Sequence, residues 1–327
     1  MFQLILTTPE GRRFDAAQRV TTLSWSGSIR QVSRQVRFGL VLPRDGSLPS
    51  VPCEVGTAVQ LLMDGESRFM GSIVTRERGT GEDTAEFTAL DRGFYLAGNE
   101  GWFVFSGQTP EKAVRTVCQG FGIPVGQLAP TGVAVSRKYP GVALSRIVDS
   151  LYTLAAEQNG KRYLARFNGD GALDVVEKPT AAALEIAPGK NLQTLRVSED
   201  ISRLQNSVAI YTDSGQLVRT VEEAESVARY GSLQRVVTQR KNGDAGAEAK
   251  GILEDNGPQQ VLTAECLGNP LLVTGSAVIL RDNAAGAAGL CWIDADTHTW
   301  KNGQYFCRLT LNFKNKMNET TAGRENK

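Results

Sequence analysis

The longest regular pattern in the chain is an alternation of apolar and polar positions from Gly275 to Phe313, GSAVILRDNAAGAAGLCWIDADTHTWKNGQYFCRLTLNF. A period of two, broken by short polar turns, predicts strands. Here it predicts three, joined at Asp282-Asn283 and at Lys301 to Gly303. Gly56 to Leu90 has the same order of parts: a Gly-small-Ala-Val start, a turn at Asp64-Gly65, a second strand centred on Ile73 as the later one is on Ile293, and a turn over Gly79 to Asp83 before a last alternating strand. The echo predicts an internal repeat.

The same pattern orders the rest of the chain. Phe2 to Leu6 alternate as a short strand that turns at Thr8-Pro9-Glu10-Gly11, and Ile29 to Leu42 form a longer one. In that strand Arg30, Arg34 and Arg37 are expected on a polar or intersubunit face. The period then changes. Thr109 and Pro110 open a helix whose stripe is Ala113, Val114, Val117, Cys118 and Phe121. A second helix is expected over about Val142 to Gln158, ending at Asn159-Gly160, and Arg162 to Phe167 and Leu173 to Glu177 flank the hairpin signal Asn168-Gly169-Asp170-Gly171. Ile201 to Tyr211 restarts the alternation and resembles Ile29 to Leu40, which widens the repeat to about 29–91 and 201–313.

Between those strands the second copy carries extra elements. Thr220 and Glu223 spell a capping box for a helix to Arg229, Leu233 to Gln239 a strand, Asp244 the cap of a helix with Ala249, Ile252 and Leu253 on one face, and Val261 to Leu267 a strand. The expected organisation is a first β domain at 1–97, an α/β domain at 98–190, a second β domain at 191–313 with a helix-containing insertion at about 212–260, and a disordered tail at 314–327. The fold class is α+β, mainly β.

Composition narrows the partners. A chain of 327 residues has length for roughly two or three domains. With 36 Lys and Arg against 35 Asp and Glu, it has no field to gather nucleic acid or an anionic membrane. No apolar run is long enough to span a bilayer, and Met1 to Phe14 lacks the layout of a signal peptide, so the chain is expected to fold in a cytosol. Cys53, Cys118, Cys266, Cys291 and Cys307 each sit in an apolar stretch and read as small buried hydrophobes, not as disulfide or zinc partners.

The candidate chemistry is sparse. Asp294, Asp296 and His298 alternate on one predicted strand, and carboxylates and imidazole are ligands that divalent metals accept. At about 6.6 Å between neighbours they are too widely spaced to converge on one ion. The row, with Trp292 and Trp300 beside it, therefore reads as a solvated, lumen or interface face. Gly79-Thr80-Gly81 and Ala284 to Gly289 lack the partners of a phosphate-binding loop, and there is no Gly-x-Ser-x-Gly elbow. Trp102, Phe103 and Phe105 are expected to fill a domain junction. No catalytic, cofactor-binding or metal residue is assigned.

The order of segments carries a resemblance. IRQVSRQVRFGL, then EVGTAVQLLMDGESRFMGSIVTRERG, then DRGFYLAGNEGWFVFSGQTPEKAVRTVCQGFGIPVG, and at the end DISRLQNSVAIY, RYGSLQRVV and the Gly275 to Phe313 unit follow one another as in a known group. The chain resembles the XkdQ/YqbQ-like tail proteins of Gram-positive phages and phage-tail-like bacteriocins, and through them the baseplate central hub of contractile tails. That resemblance implies two tail-tube-like β-barrel domains related by duplication, a homotrimer between a hexameric tube protein above and a trimeric spike below, and other baseplate proteins as partners. It implies a virion tail baseplate or tail-like particle assembled in the bacterial cytoplasm, with no cofactor, no membrane insertion and no specific nucleic-acid binding. A tail-associated peptidoglycan hydrolase and a cell-wall carbohydrate-binding module are the alternatives.

Overall fold

A computed structural model describes residues 2–43, 45, 47–48, 51–239 and 245–325. The chain is mainly β, as its alternation predicts. Its first run of strands is β1 (Phe2–Thr7), β2 (Arg13–Asp15), β3 (Val20–Ser28), β4 (Gln31–Val41), β5 (Ala58–Met63), β6 (Glu66–Glu77) and β7 (Thr84–Asp91). They pair side by side in the order β3-β4-β7-β6-β5-β1-β2. Because alternate residues share a face, Val36, Phe38 and Leu40 of β4 meet Phe87 and Ala89 of β7 and Val59 and Leu61 of β5 in one buried cluster. Phe38 and Phe87 are register partners with rings stacked at 5.0 Å. The sequence pattern does not announce β3, since between Val20 and Ser28 only Leu23 and Trp25 are buried apolar residues and the rest are mainly Ser, Thr and Gly.

The α/β segment follows. Its elements are α1 (Gly93–Gly98), β8 (Glu100–Gln108), α2 (Pro110–Gly120), β9 (Val125–Leu128), β10 (Val135–Ala143), α3 (Leu144–Asn159), β11 (Tyr163–Phe167) and β12 (Leu173–Glu177). The stripes of α2 and α3 pack together through Val114, Val117, Cys118, Ile147, Leu151 and Tyr152. α3 starts later than its periodicity suggests because Val142 and Ala143 are still paired to β8. It stops at Gly160, whose φ of 71° is the left-handed conformation that glycine adopts at helix ends. The aromatic trio splits by strand parity. Phe105 is buried and Phe103 packs against the same core, but Trp102 is 66% exposed, so it does not fill a junction.

The second run begins with β13 (Leu184–Ile186) and β14 (Leu192–Asp200). Next come β15 (Ser207–Tyr211), β16 (Leu217–Glu222), α4 (Ala224–Tyr230), β17 (Gln234–Thr238) and α5 (Ala245–Asp255). The run resumes with β18 (Gln259–Leu267), β19 (Ala277–Asp282), β20 (Ala287–Lys301) and β21 (Gln304–Asn312), and β22 (Arg324–Glu325) ends the described chain. Strands β14-β18-β21-β20-β19-β13 lie side by side in the order that β3-β4-β7-β6-β5-β1 follow in the first run, and β3 pairs with β20 to join both into one sheet.

The correspondence reaches single hydrogen bonds. Gly56 and Gly275 have φ of 91° and 89°, conformations that L side chains rarely adopt. Each donates its N–H at 2.8 Å to the carbonyl of its own central isoleucine, Ile73 or Ile293. Those isoleucines in turn donate to Thr57 and Ser276, at 2.9 and 3.0 Å. The pairing register then slips at the same place, between Ile73 and Thr75 and between Ile293 and Ala295. The runs differ at their ends: β1 is antiparallel to β5, while β13 is parallel to β19. Among the described residues the sheet is an open path from β14 to β2 and neither run closes on itself.

Three expectations change here. The counterpart of β4 is β18, not Ile201 to Tyr211. Residues 196–262 form a compact unit of their own, so the insertion begins before 212. In it β15 is the central strand of a separate sheet, β16-β15-β17, whose core holds Val208, Ile210, Val237, Ala249 and Leu253. Thr220 caps nothing: the run from Leu217 to Val221 extends as β16, with Thr220 opposite Ala209, and α4 starts after Glu223 without a side-chain cap bond. Asp244, the expected cap of α5, lies outside the described residues.

The tail also departs from expectation. Residues 314–325 lie along the α/β segment, where their carbonyls accept hydrogen bonds from buried or half-buried donors. Lys178 Nζ donates to Lys316 O at 2.5 Å, Ser150 Oγ to Ala322 O at 2.9 Å and Arg137 Nη2 to Thr321 O at 3.2 Å. Met317 packs on the α2–α3 core and β22 pairs with β10. Low apolar content signals disorder only when a segment has nothing else to offer, and here the backbone itself satisfies donors that burial would otherwise strand.

Asn318 Nδ2 donates to Asp149 Oδ2 at 2.7 Å. Burial pushes the Asp149 carboxyl up to about 7 against that bond, and burial likewise lifts Asp91 to about 6 against the N–H groups of Arg34 and Gly93. Both folded values lie above the ordinary carboxylate value of about 4, so the folded state holds protons that the unfolded chain has released. The contribution of these two groups is therefore fully present below pH ~4 and falls as pH rises toward 7, by up to ~1.4 kcal/mol per pH unit per group. Urea unfolding from pH 4.5 to 8 is expected to show this decline, and Asp149→Asn to flatten the part near neutrality; an unchanged slope in that variant would contradict the assignment.

Candidate functional site

Strand β20 does not present Asp294, Asp296 and His298 in one row. The register slip between Ile293 and Ala295 puts an extra residue into the strand, so the phase changes. Ile293, Asp296 and His298 face inward, while Asp294 falls on the other face beside Trp292. Asp294 lies within electrostatic reach of Lys178, and Trp292 Nε1 donates to Pro179 O at 2.7 Å. Asp296 is 2% exposed and His298 fully buried, so these two residues do not lie on a solvated or lumen face.

What holds Asp296 inside is Arg34, 262 residues away in sequence. Arg34 has the parity of Val36, Phe38 and Leu40 and is 9% exposed, which corrects its expected place on a polar face. Its guanidinium engages the carboxylate with two nitrogens: Nη1 donates to Oδ1 at 3.0 Å and Nη2 pairs with Oδ2. Thr274 adds its N–H and its hydroxyl, both to Oδ1 at 2.6 Å. On the far side the guanidinium lies 4.1 Å from the Trp25 ring centroid. Gly27 leaves the space, since a Cβ there would overlap the guanidinium. Burial pulls the Asp296 carboxyl upward, but the charge of Arg34 and the bonds from His298 and Arg34 outweigh it and hold the group well below the usual carboxylate range.

A thiol, an imidazole and a carboxylate stand in line here. Cys307 Sγ is 3.2 Å from His298 Nδ1, and His298 Nε2 is 3.2 Å from Asp296 Oδ2. That is the order of a nucleophile relay. Access and protonation argue against such use. Cys307 is 1% exposed, burial pushes its thiol up to about 11, and Tyr305 Oη also occupies Nδ1 at 2.7 Å. A nucleophilic cysteine needs a thiolate that substrate can reach. Trp25, at 4.7 Å from the imidazole centroid, and Trp300, stacked on Tyr305 at 4.3 Å, complete an aromatic packing cluster. Among the described residues no group of three or more His, Cys, Asp or Glu is arranged to hold a metal ion.

Beside this cluster a cavity of about 400 Å³ opens between β3, β4, β6, the β11–β12 hairpin and the loop at 270–276. Two close approaches seat the hairpin. Ser67 Oγ donates to Gly169 O at 2.6 Å, with no room for a Cβ on Gly169, and Leu164 fills the space that a side chain on Gly275 would need. Sequence reading missed Arg34, Trp25 and Thr274 as partners of Asp296. The parity of Arg34 with Val36 was the one available signal; pairing across 262 residues had none.

Removing one member of a buried pair leaves the other charge uncompensated, which costs ~3–5 kcal/mol. Arg34→Met and Asp296→Leu are each expected to lose that much in urea unfolding, and the double variant much less than their sum. Additive losses would show that the pair is not coupled. Because the folded Asp296 value is depressed, the contribution is complete above pH ~4 and is lost as pH falls below it.

The YqbQ-like family model matches residues 23–312, from within β3 to the end of β21. Two proteins of Bacillus subtilis (strain 168) are similar over nearly their whole length. The uncharacterised protein YqbQ is 21% identical over 90% of this chain and 92% of its own, and XkdQ of the phage-like element PBSX is 22% identical over 91% and 94%. The crystal structure of the 43 kDa tail protein of prophage MuSo2 from Shewanella oneidensis has the same fold, with a TM-score of 0.74 and 14% identity over 97% of this chain and 100% of that one. The matched span takes in the first strand run from within β3 onward, the α/β segment, the second run to the end of β21 and the buried pair that links Arg34 to Asp296, and on that match the chain belongs to the YqbQ-like family.

Proposed function

We propose that this chain is a structural protein of a phage tail or tail-like particle and forms the baseplate hub. Three copies make a ring that presents six similar strand runs to a hexameric tube and a threefold face to the spike, around a central channel. The observation that carries this reading is the matched order of β3-β4-β7-β6-β5-β1 and β14-β18-β21-β20-β19-β13. A chain with two equivalent runs lets a trimer offer sixfold-like contacts without a second gene product. Each run is open, so strands of a neighbouring copy are available to complete it as a tube-like barrel, and closure would remove exposed strand edges. Family membership and the tail-protein fold support the same reading. The near-neutral charge suits a channel wall to which DNA does not adhere.

The buried state of Cys307, His298 and Asp296 favours assembly over hydrolysis. Co-expression with the neighbouring tube and spike proteins is expected to yield a complex with three copies of this chain by native mass spectrometry and no clearing of cell-wall suspensions. A stable monomer that clears cell walls would overturn the proposal.

A further inference from the structure

The cavity beside the buried pair carries charge of one sign. Its ionisable lining residues are Arg34, Arg68 and Arg166, and no carboxylate lines it. Arg34 is committed to Asp296, and Arg68 pairs with the largely exposed Glu66. Arg166 has no hydrogen-bond or ion-pair partner among the described residues. Its cross-strand neighbour Asp174 accepts instead from Gln127 N at 2.8 Å and Asn168 Nδ2 at 3.2 Å. Burial pulls Arg166 below the ordinary guanidinium range, Asp174 works against that and Arg34 adds to it.

A second observation is independent of charge. Three buried N–H donors without a partner all belong to residues that line this cavity: Trp25 Nε1, Arg34 Nε and Arg68 Nε. Native interiors pair such donors, and all three nitrogens here are closed off within the wall around the cavity. Leu164 and Leu271 supply apolar wall to the same space.

We propose that this cavity is a binding site for a carboxylate carried on a short apolar stem, whether free or as the acidic side chain of a docking partner. Arg166 supplies the cation without an ion-pair partner, and its guanidinium N–H groups serve the carboxylate oxygens. One monoanion fits the single unpaired charge, and a volume of about 400 Å³ admits a ligand of small-molecule size.

Isothermal titration of the full chain tests this with sodium benzoate and with N-acetyl-glutamate methylamide, against sodium chloride at equal ionic strength. Saturable binding of either carboxylate, weakened at least tenfold in Arg166→Met and less in Arg166→Lys, supports the site. Binding of benzoate indicates a free ligand, and binding of the glutamate probe alone indicates a partner side chain. Arg166→Met is also expected to unfold at a higher urea concentration than the parent chain without ligand, because it removes a half-buried cation that has no ion-pair partner among the described residues. No saturable binding, binding unchanged in Arg166→Met, or an equal response to chloride would overturn the proposal.

Discussion

A charge taken out of water must meet its opposite, and the pairing of Arg34 with Asp296 is the constraint on which the rest of the sheet depends. The two groups come from β4 in the first run and β20 in the second, with β3 between them. Shifting β20 by one residue would turn Asp296 to the other face and leave the guanidinium buried alone. The pair therefore acts as a register pin for the seam where the two runs meet. Small residues make the pin possible. Gly27 gives the guanidinium its room, and Thr274 supplies two donors from the loop that leads into β19.

Much of the fold was legible in the sequence because alternation and turn residues are local signals. The strands around Ile73 and Ile293, the hairpin at Asn168 to Gly171 and helices α2 and α3 of the α/β segment all announce themselves within about a dozen residues. The errors have physical causes. Ile201 to Tyr211 alternates as β4 does, but its partners Leu217–Glu222 and Gln234–Thr238 lie in a separate unit, and alternation does not encode which strand will pair with which. The tail has almost no apolar residues, yet its carbonyls answer Lys178, Ser150 and Arg137.

The site was less legible. Asp296 and His298 stood out by type, but the bulge after Ile293 separates Asp294 from them, and a bulge leaves no mark in the apolar pattern that a single sequence reveals. The same slip after Ile73 becomes visible only once both strands are paired. The inward row then reads as structure: a carboxylate neutralised by arginine, an imidazole between tryptophan and tyrosine, and a thiol kept protonated by burial. These groups stabilise the seam and leave the neighbouring arginine-lined cavity as the place where chemistry with an outside group is open.

Two equivalent runs joined in one chain through β3 and β20 are the feature from which the hub reading grows, and a cryo-EM map of the assembled tail tip tests it most directly. The account predicts three copies around the axis, with β3 to β7 and β14 to β21 of each at similar radius, alternating to make six nearly equivalent positions under the tube. Six copies around the axis, or three in which only one run borders the channel, would contradict it.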